Sequence, residues 1–158
     1  MSGRRSNDYV TRILDDPSQV DASAWNALLD AQAQPTLFMR HEYLVALHRS
    51  GSAVPRTGWS PRFITLWQGD RLCAATPAYL KAHSYGEYVF DWAWADAYAR
   101  HGLPYYPKLL VAVPFTPVPG SRLLGVDTDA RRALVDAFQD AAEAWSVSSI
   151  HVLFHDEA

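Results

Sequence analysis

A run of prolines placed directly after the most apolar segment of the chain restricts the fold more than any other feature. Residues 109–113 form an unbroken apolar run that is long enough for a central strand. Pro114, Pro117 and Pro119 follow it, and proline has no N–H group to give to a strand ladder. The chain must therefore leave the sheet after Val113, so that the loop of residues 113–124 bends away or lines a cleft.

The helix predicted after this loop has the most regular pattern in the sequence. Between residues 129 and 145, apolar side chains recur at a spacing of three and four, which is typical of an amphipathic helix. Thr128 is positioned to cap it, and Asp129 in its first turn complements the helix dipole. A strand, this loop, the helix and a closing strand form a right-handed crossover if the two strands are parallel.

Shorter patterns predict the remaining elements. Alternating and apolar segments indicate strands, and the Gly69–Asp70 pair indicates a two-residue hairpin turn. A first helix is expected after a cap at Asp21 or Ser23. The other expected elements are strands at 9–14, 62–68, 71–80, 105–113 and 149–154, and helices at 40–49 and 91–100. This order predicts an α/β (α+β) fold with a mixed central sheet flanked by helices.

Length and composition limit the class of protein. A chain of 158 residues with 49% hydrophobic and 20% charged residues suits one domain with a real core, which we expect at residues 9–158 after a flexible tail at 1–8. The net charge of −3 gives no drive to bind a polyanion, so no nucleic-acid partner is expected. Cys73 is the single cysteine and excludes an internal disulfide. Because no secretory signal or membrane span is visible, we expect a cytoplasmic protein.

Residues 85–98, which we call the aromatic segment, combine aromatic rings with carboxylates. A buried carboxylate is costly unless it is paired or hydrogen-bonded. Glu87 and Asp91 lie four residues apart, and a carboxylate in an apolar pocket has the raised pKa that suits a general base. Both are therefore catalytic candidates for taking a proton from an amine. The alternative is structural, with each carboxylate capping a helix or pairing with a nearby cation, Lys81, Lys108 or Arg122.

Two further groups of residues are candidates for binding. Flat amphipathic rings suit a sugar or a peptide, although the same rings would also fill a core. The substrate-binding candidates are Tyr85, Trp92, Trp94, Tyr105, Tyr106 and Lys108. The loop of residues 113–124 is called the proline loop below. Its backbone N–H groups and a guanidinium suit an anionic donor group, unless the segment is only a turn into the long helix. The donor-binding candidates are Phe115, Thr116, Gly120, Ser121 and Arg122.

A metal site is not predicted. His151 and His155 would share one face of the closing strand, but they lack a third ligand at a fixed spacing.

Three blocks of sequence resemble the FemAB-like family, which is labelled for peptidoglycan biosynthesis or recognition and is grouped with GNAT-fold N-acyltransferases. The blocks are HSYGEYVFDWAWA at 83–95, GLPYYPKL at 102–109 and VPFTPVPGSRLL at 113–124. The resemblance covers residues 25–154 and implies a GNAT-like sheet. It also implies acyl transfer to an amine of a peptidoglycan-like or related small acceptor, from a donor such as acyl-CoA or aminoacyl-tRNA.

The chain departs from that family in two respects. Family members usually carry two GNAT-like halves, and this chain resembles only the first half. The usual coenzyme A loop is also absent from residues 114–122. Two alternatives to an enzyme therefore stay open: a non-catalytic module that binds a peptide or sugar, or an incomplete half that forms a homodimer through the surface its missing partner would cover.

Overall fold

The computed structural model describes residues 9–157, and the tail predicted at 1–8 lies outside the described residues. Short 3-10 turns occupy Pro17–Gln19, Leu37–Met39 and Pro55–Thr57. The strands are β1 Val10–Leu14, β2 Trp59–Pro61, β3 Phe63–Gln68, β4 Arg71–Thr76, β5 Ala78–Lys81, β6 Lys108–Val111, β7 Leu124–Gly125 and β8 Ile150–Val152. The helices are α1 Ala22–Asp30, α2 His41–Arg49, α3 Trp92–Arg100 and α4 Thr128–Ala144.

The predicted mixed α+β fold is confirmed, and its strands divide between two four-stranded sheets instead of forming one central sheet. One sheet has the order β1-β3-β4-β7 and is antiparallel throughout. The other has the order β2-β5-β6-β8, in which only β6 and β8 are parallel. The division follows from Pro77, which lacks an N–H group and splits the strand predicted at 71–80 into β4 and β5.

Two layers of helix cover the sheets and create two cores. Alternate side chains of a strand point to opposite faces, so Phe63 packs with α1 and α2 while Ile64 packs with α4. Leu110 and Leu109 divide in the same way. The three-four spacing of α4 is confirmed, because its buried side chains are Ala130, Leu134, Ala137, Phe138 and Ala141.

The helix caps refine the predicted boundaries. The Asp21 carboxylate accepts a hydrogen bond from the Ala24 N–H at 2.9 Å, so Asp21 is the cap of α1. The cap predicted for α4 at Thr128 is wrong, because the Asp127 carboxylate accepts a hydrogen bond from the Ala130 N–H at 2.7 Å. The cap is therefore Asp127, and the helix begins at Thr128, one residue earlier than predicted. An aspartate accepts well at this position because it also carries the charge that the helix dipole favours.

The proline loop leaves the sheet as predicted, because β6 ends at Val111. The chain then returns at Gly120, which forms a parallel bridge with His155 beside the continuation of β8. The Leu153 N–H donates to the Val111 carbonyl, and the Gly120 N–H donates to the Phe154 carbonyl, both at 3.0 Å. The backbone next to the end of β8 is therefore occupied by the chain itself.

Within the described part of the chain, none of the helices has the length together with the hydropathy that crossing a membrane requires.

Candidate functional site

The site is organised around the only two lysines of the chain, Lys81 and Lys108. Lys81 ends β5 and Lys108 begins β6, and the two residues are cross-strand partners in the antiparallel pair. Their side chains therefore share one face of the sheet. Both are buried, with 0% and 1% of their surface exposed. A buried ammonium group is costly unless other groups compensate its charge.

The aromatic segment supplies that compensation for Lys108. Its Nζ lies 2.8 Å from Glu87 Oε2, 2.5 Å from Asp91 Oδ2 and 3.3 Å from Ser84 Oγ. Both carboxylates are buried as well. The expected pairing of these carboxylates with a nearby cation is thus present, and Lys108 is the cation. A buried acid–base cluster results, and its members are Lys81, Ser84, Glu87, Asp91, Tyr105, Tyr106, Lys108, Ser149 and His151.

A strained turn presents Glu87 to this cluster. Gly86 has φ 81° and Tyr88 has φ 60°, so both neighbours of Glu87 lie in the left-handed region. The Gly86 carbonyl accepts a hydrogen bond from the Phe115 N–H at 3.0 Å. A Cβ atom at position 86 would lie 2.6 Å from the Phe115 ring. Glycine is therefore required here by both its backbone angle and the close approach of the proline loop.

Asp91 has the electrostatics of an anchor. Its carboxylate accepts hydrogen bonds from Lys108, from the Ser84 hydroxyl and from the Tyr105 hydroxyl. Burial opposes ionisation of this group, but these hydrogen bonds outweigh burial and lower the pKa of Asp91 to about 2. In turn, burial and then the hydrogen bond to Asp91 raise the pKa of Tyr105. Asp91 therefore stays ionised near neutral pH and is a weak proton acceptor.

Glu87 has the opposite character. Its Oε2 atom accepts from Lys108, whereas its Oε1 atom is buried and has no hydrogen-bond partner among residues 9–157. Burial raises the pKa of Glu87, although the hydrogen bond and the charge of Lys108 oppose this effect. An unpartnered buried oxygen on a carboxylate of raised pKa is the group in this cluster best suited to accept a proton.

Lys81 completes the cluster without touching a carboxylate. Its Nζ donates to the Tyr85 carbonyl at 3.1 Å and lies 3.7 Å from the centre of the Trp59 ring. Burial lowers the pKa of Lys81 to about 8, with Lys108 adding to this effect and Glu87 opposing it. The environment thus moves the pKa of Glu87 up and that of Lys81 down, so that both approach neutral pH.

His151 is a member of the cluster that the sequence analysis weighed only as a metal ligand. Its Nε2 lies 2.8 Å from Ser149 Oγ and 3.5 Å from the Tyr105 hydroxyl. Burial and the charge of Lys108 lower the pKa of His151. The register of β6 and β8 is the feature that places His151 in the cluster. β8 is the parallel neighbour of β6 and sets His151 beside Leu110, on the face that carries Lys108.

The predicted substrate-binding residues fall into two groups. Tyr105 and Lys108 are buried in the cluster, where Tyr106 is also a member, its hydroxyl lying 2.7 Å from Ser84 Oγ. Tyr85, Trp92 and Trp94 are exposed by 66%, 55% and 66%. Core packing therefore does not account for these three rings. None of the residues of α3 is buried, so the aromatic segment presents ring faces to solvent beside the cluster.

The predicted donor-binding residues are also separated into two groups. Phe115, with φ 60°, packs its ring 5.5 Å from that of Trp59, and Thr116 Oγ1 lies 3.1 Å from the Tyr43 hydroxyl. Of these two residues, Phe115 adjoins the Glu87 turn, because its N–H donates to the Gly86 carbonyl. Gly120, Ser121 and Arg122 lie instead beside the end of β8, where the Ser121 N–H donates to the Gln34 carbonyl at 3.0 Å and the Ser121 hydroxyl donates to Asp156 at 2.5 Å.

Across residues 9–157, no three His, Cys, Asp or Glu side chains are grouped as a metal site would need.

The fold and the cluster define a class of protein: a mixed α+β domain that places a desolvated acid–base cluster beside exposed aromatic rings. A model of the FemAB-like family, described as peptidoglycan biosynthesis/recognition, matches residues 16–158. The chain therefore belongs to the FemAB-like family, which gives it a peptidoglycan-related function and confirms the resemblance of the three sequence blocks. Neither a search of curated proteins nor a search of solved structures found a match.

Proposed function

We propose that this chain is a GNAT-like N-acyltransferase domain in which Glu87 takes the proton from the amine of a peptidoglycan-like or related small acceptor. The observation that carries the proposal is the Glu87 Oε1 atom, which is buried and has no partner among the described residues. A buried acceptor atom without a donor is costly. An incoming ammonium or amine group supplies the missing donor.

The chemistry follows from the character of the two carboxylates. The acceptor nitrogen attacks the acyl carbonyl, a C–N bond forms, and the bond between the acyl carbon and its thiol or hydroxyl leaving group breaks. Glu87 takes the proton that the nitrogen loses and returns it to the leaving group or to solvent. Asp91 has a pKa of about 2, so we assign it a positioning role: it holds Lys108, which in turn holds Glu87.

The aromatic segment accounts for recognition of the rest of the acceptor. Exposed tyrosine and tryptophan rings offer flat amphipathic faces to a sugar or a peptide. Because Glu87 is only 4% exposed, the turn at 86–88 must shift before an amine reaches Oε1. Binding of the acceptor against Tyr85 and Trp92, on either side of this turn, is the step that we expect to move it.

The donor is assigned by the family resemblance alone, as acyl-CoA or aminoacyl-tRNA. Either donor implies a cytoplasmic reaction.

The test of Glu87 is an acyl-transfer assay with a peptidoglycan stem peptide that carries a free amine. Acyl-CoA and aminoacyl-tRNA are supplied in separate reactions, and the amide product is measured by mass spectrometry. Glu87→Gln keeps the shape of the side chain and should lower the rate by about 10²- to 10⁴-fold, the usual contribution of a general base. Asp96→Asn is the matched control, because Asp96 is an exposed carboxylate of the same segment. A Glu87→Gln variant as active as Asp96→Asn would refute the role of Glu87.

A second candidate function is recognition without chemistry. The exposure of Trp92 and Trp94 favours it, because an exposed aromatic face is as useful to a binding module as to an enzyme. Titration with peptidoglycan fragments, followed by tryptophan fluorescence, separates the two functions when either donor is added. Binding of the fragments, with no acyl transfer from either donor, identifies a binding module.

The same exposed rings also fit the alternative of an incomplete half, in which a second copy of the chain or a missing second half covers them. Light scattering tests the homodimer: a monomer at high protein concentration contradicts it.

A further inference from the structure

A cavity with charged and apolar lining residues lies away from the acid–base cluster. It has a volume of about 490 Å³ and is bounded by the residues after α1, by the first turn of α4 and by the end of β8. None of its lining residues belongs to the acid–base cluster. Successive residues of β8 point to opposite faces of the sheet: His151 belongs to the cluster, whereas Val152 lines this cavity.

Arg122, which lines the cavity, is a buried cation with no carboxylate in contact among residues 9–157, and the charge of Asp156 acts on it from beyond 4.0 Å. Arg122 is 1% exposed. Its guanidinium donates to three backbone carbonyls, those of Leu153 at 3.2 Å, Val118 at 2.6 Å and Gly120 at 3.4 Å. An arginine has five N–H donors, so two have no acceptor among the described residues. Among residues 9–157, no carboxylate oxygen lies within 4.0 Å of this guanidinium.

The contrast with Lys108 shows how unusual this arrangement is within the molecule. The two side chains are equally buried, yet Lys108 contacts two carboxylates and Arg122 contacts only neutral carbonyls. Asp156 compensates the charge of Arg122 only from a distance, so an anion in the cavity gains from a positive charge that no contacting carboxylate neutralises.

A second guanidinium that lines the cavity belongs to a half-buried arginine. Arg131, in the first turn of α4, donates to Gln32 Oε1 at 3.3 Å, to the Gly125 carbonyl at 3.3 Å and to Thr128 Oγ1 at 3.4 Å. It likewise has no carboxylate partner among the residues that the structure describes. The one carboxylate that lines the cavity is Asp156, which accepts the hydroxyl hydrogen bond of Ser121.

We propose that this cavity binds an organic monoanion, in which a carboxylate or phosphodiester group is carried on a short apolar body. Two guanidinium groups and one carboxylate leave the wall with a surplus of one positive charge, which a single negative charge neutralises. A dianion would place its second charge beside Asp156. The remaining wall includes Leu123 and Val152, which suit an apolar body. This proposal does not rest on the acyltransferase proposal.

The test uses four probes in isothermal titration calorimetry. Hexanoate and diethyl phosphate are monoanions on an apolar body, hexanamide is the neutral counterpart of hexanoate, and inorganic phosphate has the higher charge. We expect one or both monoanions to bind at least about tenfold more tightly than hexanamide and phosphate, as expected for a charge-assisted hydrogen bond. Tighter binding of hexanoate identifies a carboxylate as the preferred anionic group, and tighter binding of diethyl phosphate identifies a phosphodiester. Absence of binding by both monoanions, or equal binding of hexanamide, overturns the proposal.

Variants of α4 locate the site. Arg131→Gln should weaken monoanion binding by about tenfold to hundredfold, whereas Arg131→Lys should retain part of it. Arg132→Gln is the matched control, because Arg132 lies next to Arg131 but is exposed and pairs with Asp129. Loss of binding in Arg132→Gln equal to that in Arg131→Gln overturns the proposal. Glu87→Gln should bind the monoanion as the wild type does, which keeps this result independent of the acyltransfer assay.

Discussion

Replacing Lys108 with methionine tests the electrostatic account of the cluster most directly. The substitution keeps an unbranched side chain of similar length but removes the ammonium group that contacts Glu87 at 2.8 Å and Asp91 at 2.5 Å. Both carboxylates then stay buried without a cation in contact. Removing one partner of a buried ion pair costs about 3–5 kcal/mol. This is a large share of the roughly 5–15 kcal/mol by which domains of this size are stable.

The assay is urea denaturation followed by tryptophan fluorescence. With a denaturant slope of about 2 kcal/mol per molar, the expected loss moves the urea midpoint down by about 1.5–2.5 M. Lys81→Met is the matched control, because Lys81 is as buried as Lys108 and pairs with it across the strands but touches no carboxylate. We expect Lys81→Met to cost less, about 1.5–3 kcal/mol, the value of one hydrogen bond from a charged group.

The cost of Lys108→Met should also depend on pH. Burial raises the pKa of Glu87 in the folded protein, and loss of Lys108 raises it further. A carboxyl group whose pKa is higher in the folded than in the unfolded state stabilises the fold at low pH, and this contribution is lost as the pH rises through the folded value. The variant should therefore lie closer to the wild type at pH 5 than at pH 8. Equal costs for Lys108→Met and Lys81→Met would refute the reasoning.

Two further predictions concern the residues around this cluster. Asp91 has a folded pKa of about 2 against an ordinary 3.8, so its charge stabilises the fold above pH 3.8 and that contribution disappears as the pH falls to 2. Asp91→Asn should therefore cost about 2 kcal/mol at pH 7, and urea titrations that show the same cost at pH 2 would contradict this. Gly86→Ala should cost about 1–3 kcal/mol, because φ is 81° and the added Cβ would meet the Phe115 ring at 2.6 Å. Thermal unfolding measures this cost. Gly69→Ala is the control, because no atom lies within 4 Å of its added Cβ, so it shows the backbone cost without the clash.

The local parts of the fold could be predicted because the sequence alone determines them. The spacing of apolar residues in α4 and the cap at Asp21 depend on neighbours within a few positions. The division into two sheets could not be predicted in this way. Pro77 interrupts a segment whose composition is strand-like on both sides, and only the pairing of β4 with β3 and of β5 with β6 shows that the two parts join different sheets.

The site was predictable as a set of residue types but not as a network. The aromatic segment and its carboxylates were identifiable because such groups are costly to bury. The sequence left three cations as possible partners of these carboxylates. Only the register of β5 and β6 shows that the partner is Lys108. The exposure of Trp92 and Trp94 runs against the usual tendency of tryptophan to be buried. Among residues 9–157, Arg122 contacts backbone carbonyls and no carboxylate, and this arrangement depends on loops that are distant in sequence, so no local pattern contains it.

The burial of both lysines has a consequence for covalent chemistry. Under the acyltransferase function that we propose, activated acyl donors would also meet the amines of the protein itself, and lysine side chains are the usual targets. Residues 81 and 108 are the only lysines, and neither ammonium group reaches the surface of the folded chain. Lysine side chains of this protein are therefore protected from amine-reactive esters as long as the acid–base cluster is closed. An acyl group on either lysine marks a molecule in which that cluster has opened, so lysine labelling measures how often the site opens.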